Sequence, residues 1–189
     1  MVALQSLNTK IYVDGADLDS IVKLAADPLI KGFTTNPTLM RKAGIGDFEA
    51  FARRLLLVVP DRPVSFGVFA DDFASMERQA REIGSWGANV YVKIPVTNTE
   101  DVFSGPLIQH LAGVGVRVNV TAIMTVAQVE AVAQCLAGAT PAVVSVFAGR
   151  IADTGRDPVP MMTEAVSVLA DQPKAELLWA SPREVLNIF

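Results

Sequence analysis

The chain has 189 residues, 51% of them apolar, with a formal net charge of −4 and a single cysteine. This length and apolar content suffice for one sizeable core, and no stretch resembles a linker, so residues 1–189 are predicted to form a single domain. Lys and Arg are scattered under a net negative charge, which disfavours nucleic acid and anionic membranes as partners. Cys135 has no second thiol and no Cys/His cluster nearby, which excludes a disulfide framework and argues against zinc.

The sequence also lacks the signals of export and membrane insertion. The N-terminal stretch "MVALQSLNTK" does not have a charged region followed by an apolar one. The longest aliphatic run, at residues 55–59, is far too short to span a bilayer. We therefore expect a soluble, cytoplasmic protein.

Short β-branched runs alternate with longer stretches in which apolar residues recur at helical spacing. Such alternation predicts parallel strands joined by right-handed crossovers, in either an open doubly wound sheet or a (β/α)8 barrel. Because the first strand leads into "VDGADLD" and not into a G-x-G-x-x-G fingerprint, we favour the α/β class with a (β/α)8 TIM barrel. The predicted strands are, in chain order, "KIYVDGA" from Lys10, "KGFTTN" from Lys31, "VSFGVF" from Val64, "VYVKIP" from Val90, "VRVNVTAI" from Val116, "VVSVFA" from Val143 and "ELLWAS" from Glu176.

The fourth predicted strand, within "NVYVKIPVT", contains a residue that a buried strand normally excludes. Val90, Val92 and Ile94 alternate on one face. Lys93 falls on the other face, where an unpaired ammonium costs on the order of several kcal/mol unless it is paired or neutral. Lys93 is therefore either a structurally paired lysine or a functional one.

The chemistry of a barrel lies at the C-terminal ends of its strands, and polar residues collect at those ends here. Several have a purely structural interpretation. "TTNPTL" can be Asn36 capping a helix with Pro37 in first position, and "SPRE" can be a capping box that begins at Ser181. Asp14 can cap a turn, and Arg150 can be an ordinary surface arginine.

The order of these motifs resembles one known family. "VDGADL", "GFTTNPTL", "YVKIPVT", "VNVTAI", "VFAGRI" and "ASPRE" follow one another on successive strand ends. In that order they resemble the transaldolase family, including its shorter fructose-6-phosphate-aldolase-like members. The resemblance runs from about Ile11 to Arg183, and it implies a Schiff-base aldolase barrel.

The resemblance implies that Lys93 is the Schiff-base lysine. Desolvation inside a barrel lowers the pKa of a lysine, so that a fraction becomes the nucleophilic amine. Its attack on a ketose phosphate would permit cleavage between C3 and C4, with transfer or release of a dihydroxyacetone unit, as in pentose-phosphate carbohydrate metabolism. By resemblance, Asp14 exchanges the C4 hydroxyl proton and Thr121 positions a water. No cofactor or metal is implied, and sugar phosphates are the expected partners.

The remaining site residues also follow from the resemblance, since amides and hydroxyls both donate to and accept from sugar hydroxyls. The phosphate site has separate support if Ser181 opens a helix, because the N–H groups of a helix N-terminus attract anions. The implied substrate-binding residues are Thr34, Asn36, Ser65, Asn119, Ser145 and Phe147, and the implied phosphate-binding residues are Arg150, Ser181 and Arg183.

One departure from the family pattern concerns proton transfer. The family has Glu, or Gln in the aldolase-like members, where "VSFGVF" has Gly67. Loss of a general acid or base costs roughly a hundredfold to ten-thousandfold in rate. The alternative to an enzyme is therefore a catalytically impaired sugar-phosphate-binding paralogue. A phosphate-binding isomerase that uses enediol chemistry fits less well, because it needs a strand-end Glu or His base.

The sequence contains no candidate for an eighth strand after "SPREVLNIF". Barrels of this type close with eight strands and typically span about 250 residues. We therefore expect the eighth strand and the C-terminal helices to lie outside the given chain, together with a segment that assembles a homo-oligomer.

Overall fold

Seven parallel strands form one sheet in the order of the sequence, β1-β2-β3-β4-β5-β6-β7. The computed structural model describes residues 8–136, 138 and 140–188. The predicted α/β alternation and barrel-type sheet are confirmed, because each strand pairs in parallel with the next and a helix lies in each connection. The strands are β1 (Ile11–Asp14), β2 (Ile30–Thr34), β3 (Val64–Gly67), β4 (Val90–Pro95), β5 (Val118–Ile123), β6 (Ala142–Val146) and β7 (Ala175–Trp179).

The helices begin where the local sequence supplies caps. Asp17, Asp47 and Asp72 accept from the backbone N–H three residues on, and Thr125 forms a capping box with Gln128. A short 3₁₀ turn follows the last strand at Val185–Ile188. The helices are α1 (Leu18–Ala25), α2 (Pro37–Lys42), α3 (Phe48–Val58), α4 (Phe73–Gly84), α5 (Gly105–Gly113), α6 (Val126–Cys135), α7 (Ala148–Asp153) and α8 (Val159–Val168).

The main core lies between the sheet and the helices. In β4, Val90, Val92 and Ile94 are at most 2% exposed and face the helices, so the opposite face carries Tyr91 and Lys93. Buried apolar side chains of β3, β5 and β6 continue this layer. Polar side chains are therefore concentrated on the inner, concave face of the sheet.

The sheet curls until its first and last strands approach each other. Lys10, just before β1, donates from Nζ to Glu176 Oε1 of β7 at 2.6 Å. This ion pair spans the side on which β1 and β7 have no strand neighbour among the described residues. Within the same residues, no helix is long and apolar enough to cross a membrane.

Candidate active site

The centre of the candidate site is the row of residues that pair across β3, β4 and β5. Gly67 pairs with Lys93, and Lys93 pairs with Asn119. Residues paired in this way across neighbouring strands point to the same side of the sheet, which is the inner face. Lys93 is thus flanked by a residue without a side chain and by a buried amide.

The Lys93 ammonium has few partners. Nζ donates to the Thr35 carbonyl oxygen at 3.3 Å, which is a long hydrogen bond, and no other partner occurs among the described residues. Burial lowers the pKa of Lys93 below its ordinary value, and the nearby negative charge of Asp14 partly opposes that effect. Both effects together leave the pKa of Lys93 lowered, which raises the fraction of Lys93 that is the nucleophilic amine.

Asp14 and Thr34 end the first two strands and are joined directly. They pair in register, and Thr34 Oγ1 donates to Asp14 Oδ1 at 2.6 Å. Thr34 is buried, whereas the carboxylate is exposed to the space inside the sheet. The hydrogen bond therefore orients a carboxylate that remains open to a ligand and acts electrostatically on Lys93.

Three buried side chains of β3, β5 and β6 form a hydrogen-bonded chain across the inner face. Asn119 Nδ2 donates to Ser65 Oγ at 3.0 Å, and Ser145 Oγ donates to Asn119 Oδ1 at 2.7 Å. All three are at most 2% exposed. The chain fixes the orientation of the Asn119 amide beside Lys93, because its oxygen and its nitrogen each have a defined partner.

Asn36 has the structural role that its sequence context predicts. Its Oδ1 accepts from Leu39 N–H at 2.9 Å, and Pro37 occupies the first position of α2. Its amide nitrogen has no partner in the described part of the chain and is free to donate elsewhere. Capping and substrate contact are thus compatible in one side chain.

Thr121 and Phe147 lie at the outer rim of the same face. Thr121 pairs with Pro95, two residues beyond the Lys93 row. Its hydroxyl has no hydrogen-bond partner among residues 8–136, 138 and 140–188. Phe147 precedes α7, is half-buried, and donates its N–H to the Ile123 carbonyl at 2.8 Å.

Helix α7, which carries Arg150, packs against the segment after β7, which carries Ser181 and Arg183. Gly149 N–H donates to the Ala180 carbonyl at 3.2 Å. Arg183 Nη1 donates to the Ser181 carbonyl at 3.1 Å. The exposed Arg150 has no ion pair among the described residues, so its guanidinium is available to an anion.

The predicted helix at "SPRE" is wrong. Ser181 has a positive φ of 58° and does not cap a helix, and the next helical residues form the 3₁₀ turn from Val185. The N–H groups of Arg183 and Glu184 instead donate to the Asn187 side chain, at 3.0 and 3.3 Å. A helix N-terminus therefore does not support the predicted phosphate site.

Two participants were missed by sequence reasoning. The Thr35 carbonyl oxygen accepts from Lys93, and because it is a backbone atom, the residue type at position 35 does not predict this contact. Asp153 forms a two-pronged ion pair with Arg183 through Nε, at 2.7 Å, and through Nη2. Asp153 and Arg183 are too far apart in the sequence for a helix or strand pattern to pair them, so their contact could not be predicted from the sequence. No group of three metal-ligating side chains occurs in the described ranges.

Comparison with known proteins identifies the family to which the chain belongs. The family model described as transaldolase/fructose-6-phosphate aldolase matches residues 11–189. The chain belongs to this family. A probable transaldolase of Dehalococcoides mccartyi is 37% identical over 179 residues, which cover 94% of this chain and 79% of that protein. A probable transaldolase of Roseiflexus sp. (strain RS-1) is 34% identical over 182 residues, covering 94% and 80%.

The fold has a further counterpart among solved structures. The dihydrodipicolinate synthase of Rhodopseudomonas palustris superposes with a TM-score of 0.53 at 17% identity, over 88% of this chain and 62% of that one. At this identity the likeness concerns the barrel fold alone. Membership of the transaldolase family makes the protein an aldolase-type enzyme.

Proposed function

We propose that the protein forms a Schiff base between Lys93 and a ketose phosphate, and transfers or releases a dihydroxyacetone unit. The observation that carries the proposal is the Lys93 ammonium, which is half-buried on the inner face with one long hydrogen bond and a lowered pKa. A structural lysine would be expected to have a carboxylate at hydrogen-bonding distance, and Lys93 has none among the described residues.

The proposed reaction begins with addition of the Lys93 amine to the ketose carbonyl. Loss of water gives an iminium, which withdraws electrons from the adjacent carbon. The bond between C3 and C4 then breaks as the C4 hydroxyl proton passes to Asp14, so that an aldehyde leaves and an enamine stays on the lysine. Attack of the enamine on another aldehyde is transfer, whereas its protonation followed by hydrolysis is release.

The surrounding groups support these steps. Thr34 holds Asp14 through its hydroxyl, and an oriented base within hydrogen-bond reach is what proton abstraction requires. Asn36 offers the N–H groups of its amide to the three-carbon unit, and the Asn119 amide, held by Ser65 and Ser145, retains a second N–H beside Lys93. Phe147 lies at the rim beside them, and Thr121 carries the hydroxyl that would position a water.

Phosphate binding is assigned to Arg150, Arg183 and the Ser181 segment between them. Charge-assisted hydrogen bonds from arginine suit phosphate oxygens. Asp153 offsets one of the two positive charges, and it occupies the Nε edge of Arg183. An incoming phosphate would therefore use the remaining Arg183 N–H groups together with Arg150.

A second candidate function is sugar-phosphate binding without efficient turnover. Gly67 favours it, because residue 67 faces Lys93 and supplies no group that handles protons. A binder of this kind would need Arg150 and Arg183 but would have no evident use for Lys93 or Asp14. The retention of both residues leads us to rank the enzyme first.

The deciding experiment is borohydride reduction in the presence of fructose 6-phosphate or dihydroxyacetone, followed by peptide mass spectrometry. We expect a stable adduct on Lys93, because borohydride captures an iminium as a secondary amine. The Lys93→Met variant is the matched control and should carry no adduct. An adduct on another lysine, or none with either donor, would exclude the Schiff-base mechanism.

A further inference from the structure

Strand β5 contains a residue with a left-handed backbone. Ala122 has a φ of 63°, and the other non-glycine residues with positive φ in the described ranges, Asp101 and Ser181, lie outside strands. Left-handed conformations bring Cβ close to a carbonyl oxygen and are disfavoured for alanine. Such a residue persists only where the surrounding structure imposes it.

Ala122 lies at a bulge in the pairing of β5 with β6. Val120 pairs with Val144 and Ile123 pairs with Val146, so β5 advances three residues where β6 advances two. On the other side, Thr121 still pairs regularly with β4, because its carbonyl accepts from Val96 N–H at 2.9 Å. The extra residue therefore affects one edge of β5 and leaves the edge next to Lys93 intact.

The bulge changes which side chains face the barrel. Strict alternation after Val118 and Val120 would turn Ala122 toward the helices and Ile123 toward the barrel. Instead Ile123 is fully buried in the core, paired with the equally buried Val146. Thr121 and Ala122 are both half-buried. The left-handed residue thus lets an apolar side chain join the core without displacing the threonine before it.

We infer that Ala122 is a positioning residue: its left-handed backbone lets Ile123 enter the core while Thr121 keeps its pairing with β4, with its hydroxyl facing the Lys93 row. The inference rests on the proposed function, in which Thr121 orients a water. The Thr121 hydroxyl has no hydrogen-bond partner in the described part of the chain, so only the backbone fixes its direction. An arrangement of this kind fits the occurrence of bulges beside active sites, where they direct a side chain.

The test compares Ala122→Val with Ala122→Asn. Valine is strongly disfavoured at positive φ, whereas asparagine is among the residues that adopt it. In Ala122→Val we expect the rate of Lys93 adduct formation and kcat to fall about tenfold or more, with KM changed less than about twofold. Ala122→Asn should keep most of the wild-type rate. Thr121→Val should be impaired like Ala122→Val, and the double variant should be no slower than Thr121→Val alone.

Circular dichroism shows whether each variant folds. If Ala122→Val does not fold, Ala122→Ser is compared with Ala122→Asn. Serine is the smaller side chain, so an effect of size alone would make the Ser variant the faster enzyme. Asparagine adopts the left-handed conformation more readily, so the inference expects the Asn variant to be faster. An Ala122→Ser enzyme as fast as the Ala122→Asn enzyme would overturn the inference. Wild-type rates in Ala122→Val would also overturn it. So would a double variant in which the losses of Ala122→Val and Thr121→Val multiply. A wild type that forms no adduct with either donor would overturn the proposed function, and this inference with it.

Discussion

Lys93 Nζ donates to the Thr35 carbonyl oxygen at 3.3 Å. Among the described residues, this is the only hydrogen bond of the Lys93 ammonium. A long bond to a neutral acceptor does not offset the loss of water around a charge. The pKa of Lys93 is lowered for that reason. The placement of Lys93 on the inner face therefore lowers the stability of the fold.

Lys93→Met should stabilise the fold at neutral pH by roughly 1 to 3 kcal/mol, because it removes a half-buried and poorly paired charge. Between the lowered pKa of folded Lys93 and its ordinary value of 10.5, the unfolded chain binds more protons than the folded one. Wild-type stability therefore rises with pH across that window, and the advantage of the variant shrinks. Urea unfolding of both proteins at several pH values measures the difference. An advantage that grows toward pH 10.5 would contradict the assigned shift.

Asp14→Asn should lower turnover by about a hundredfold to ten-thousandfold, because an amide cannot take the C4 hydroxyl proton. Adduct formation on Lys93 with dihydroxyacetone should survive, since that step precedes cleavage. Thr34→Val is the matched control: it removes the 2.6 Å hydrogen bond but leaves the carboxylate, and a smaller loss is expected. Equal losses in the two variants would mean that Asp14 is structural.

Gly67→Glu should raise turnover without improving substrate affinity if the missing side chain limits proton transfer. A Cβ at this position would lie 3.3 Å from Pro37 Cδ and 4.0 Å from Lys93 Cβ, so α2 must yield slightly. Gly67→Ala introduces the same crowding without a carboxylate, and the ratio of the two kcat values isolates the chemical effect. A Glu variant no faster than the Ala variant would favour the binding protein over the enzyme.

Much of this site could be predicted from the sequence, because it depends on alternation within strands. The row through Lys93, the strand ends at Asp14 and Thr34, and the cap at Asn36 all follow from local pattern and parallel pairing. Ser181 was misjudged, since Ser-Pro-Arg-Glu fits a capping box but the chain there packs against Gly149 and takes a left-handed turn. Tertiary contact decided that segment, and local propensity did not.

Arg183→Ala should weaken phosphorylated donors more than Arg150→Ala does. Each arginine can supply charge-assisted contacts to the phosphate, but loss of Arg183 also leaves the Asp153 carboxylate unpaired near the phosphate. Steady-state KM values for fructose 6-phosphate and dihydroxyacetone separate the phosphate effect from general damage. The double variant Asp153→Ala/Arg183→Ala also removes the unpaired carboxylate, and it should recover part of the lost affinity for phosphorylated donors. Equal losses on both donors would place the phosphate elsewhere.

Gly149→Ala tests the junction that brings Arg150 to Ser181 and Arg183. A Cβ on residue 149 would overlap the Ser181 carbonyl oxygen and lie 2.7 Å from its carbonyl carbon, so backbone must move. We expect the segment after β7 to shift away from α7, breaking the 3.2 Å bond from Gly149 N–H to Ala180. Affinity for fructose 6-phosphate should fall about tenfold or more, since two charge-assisted contacts lose their common geometry. Turnover of dihydroxyacetone should change little, because the Lys93 row lies on β3 to β5.

Gly155→Ala, at a positive φ of 80° just beyond α7, is the control for general loss of stability. If it weakened fructose 6-phosphate as much, the close packing at Gly149 would not be what assembles the phosphate site.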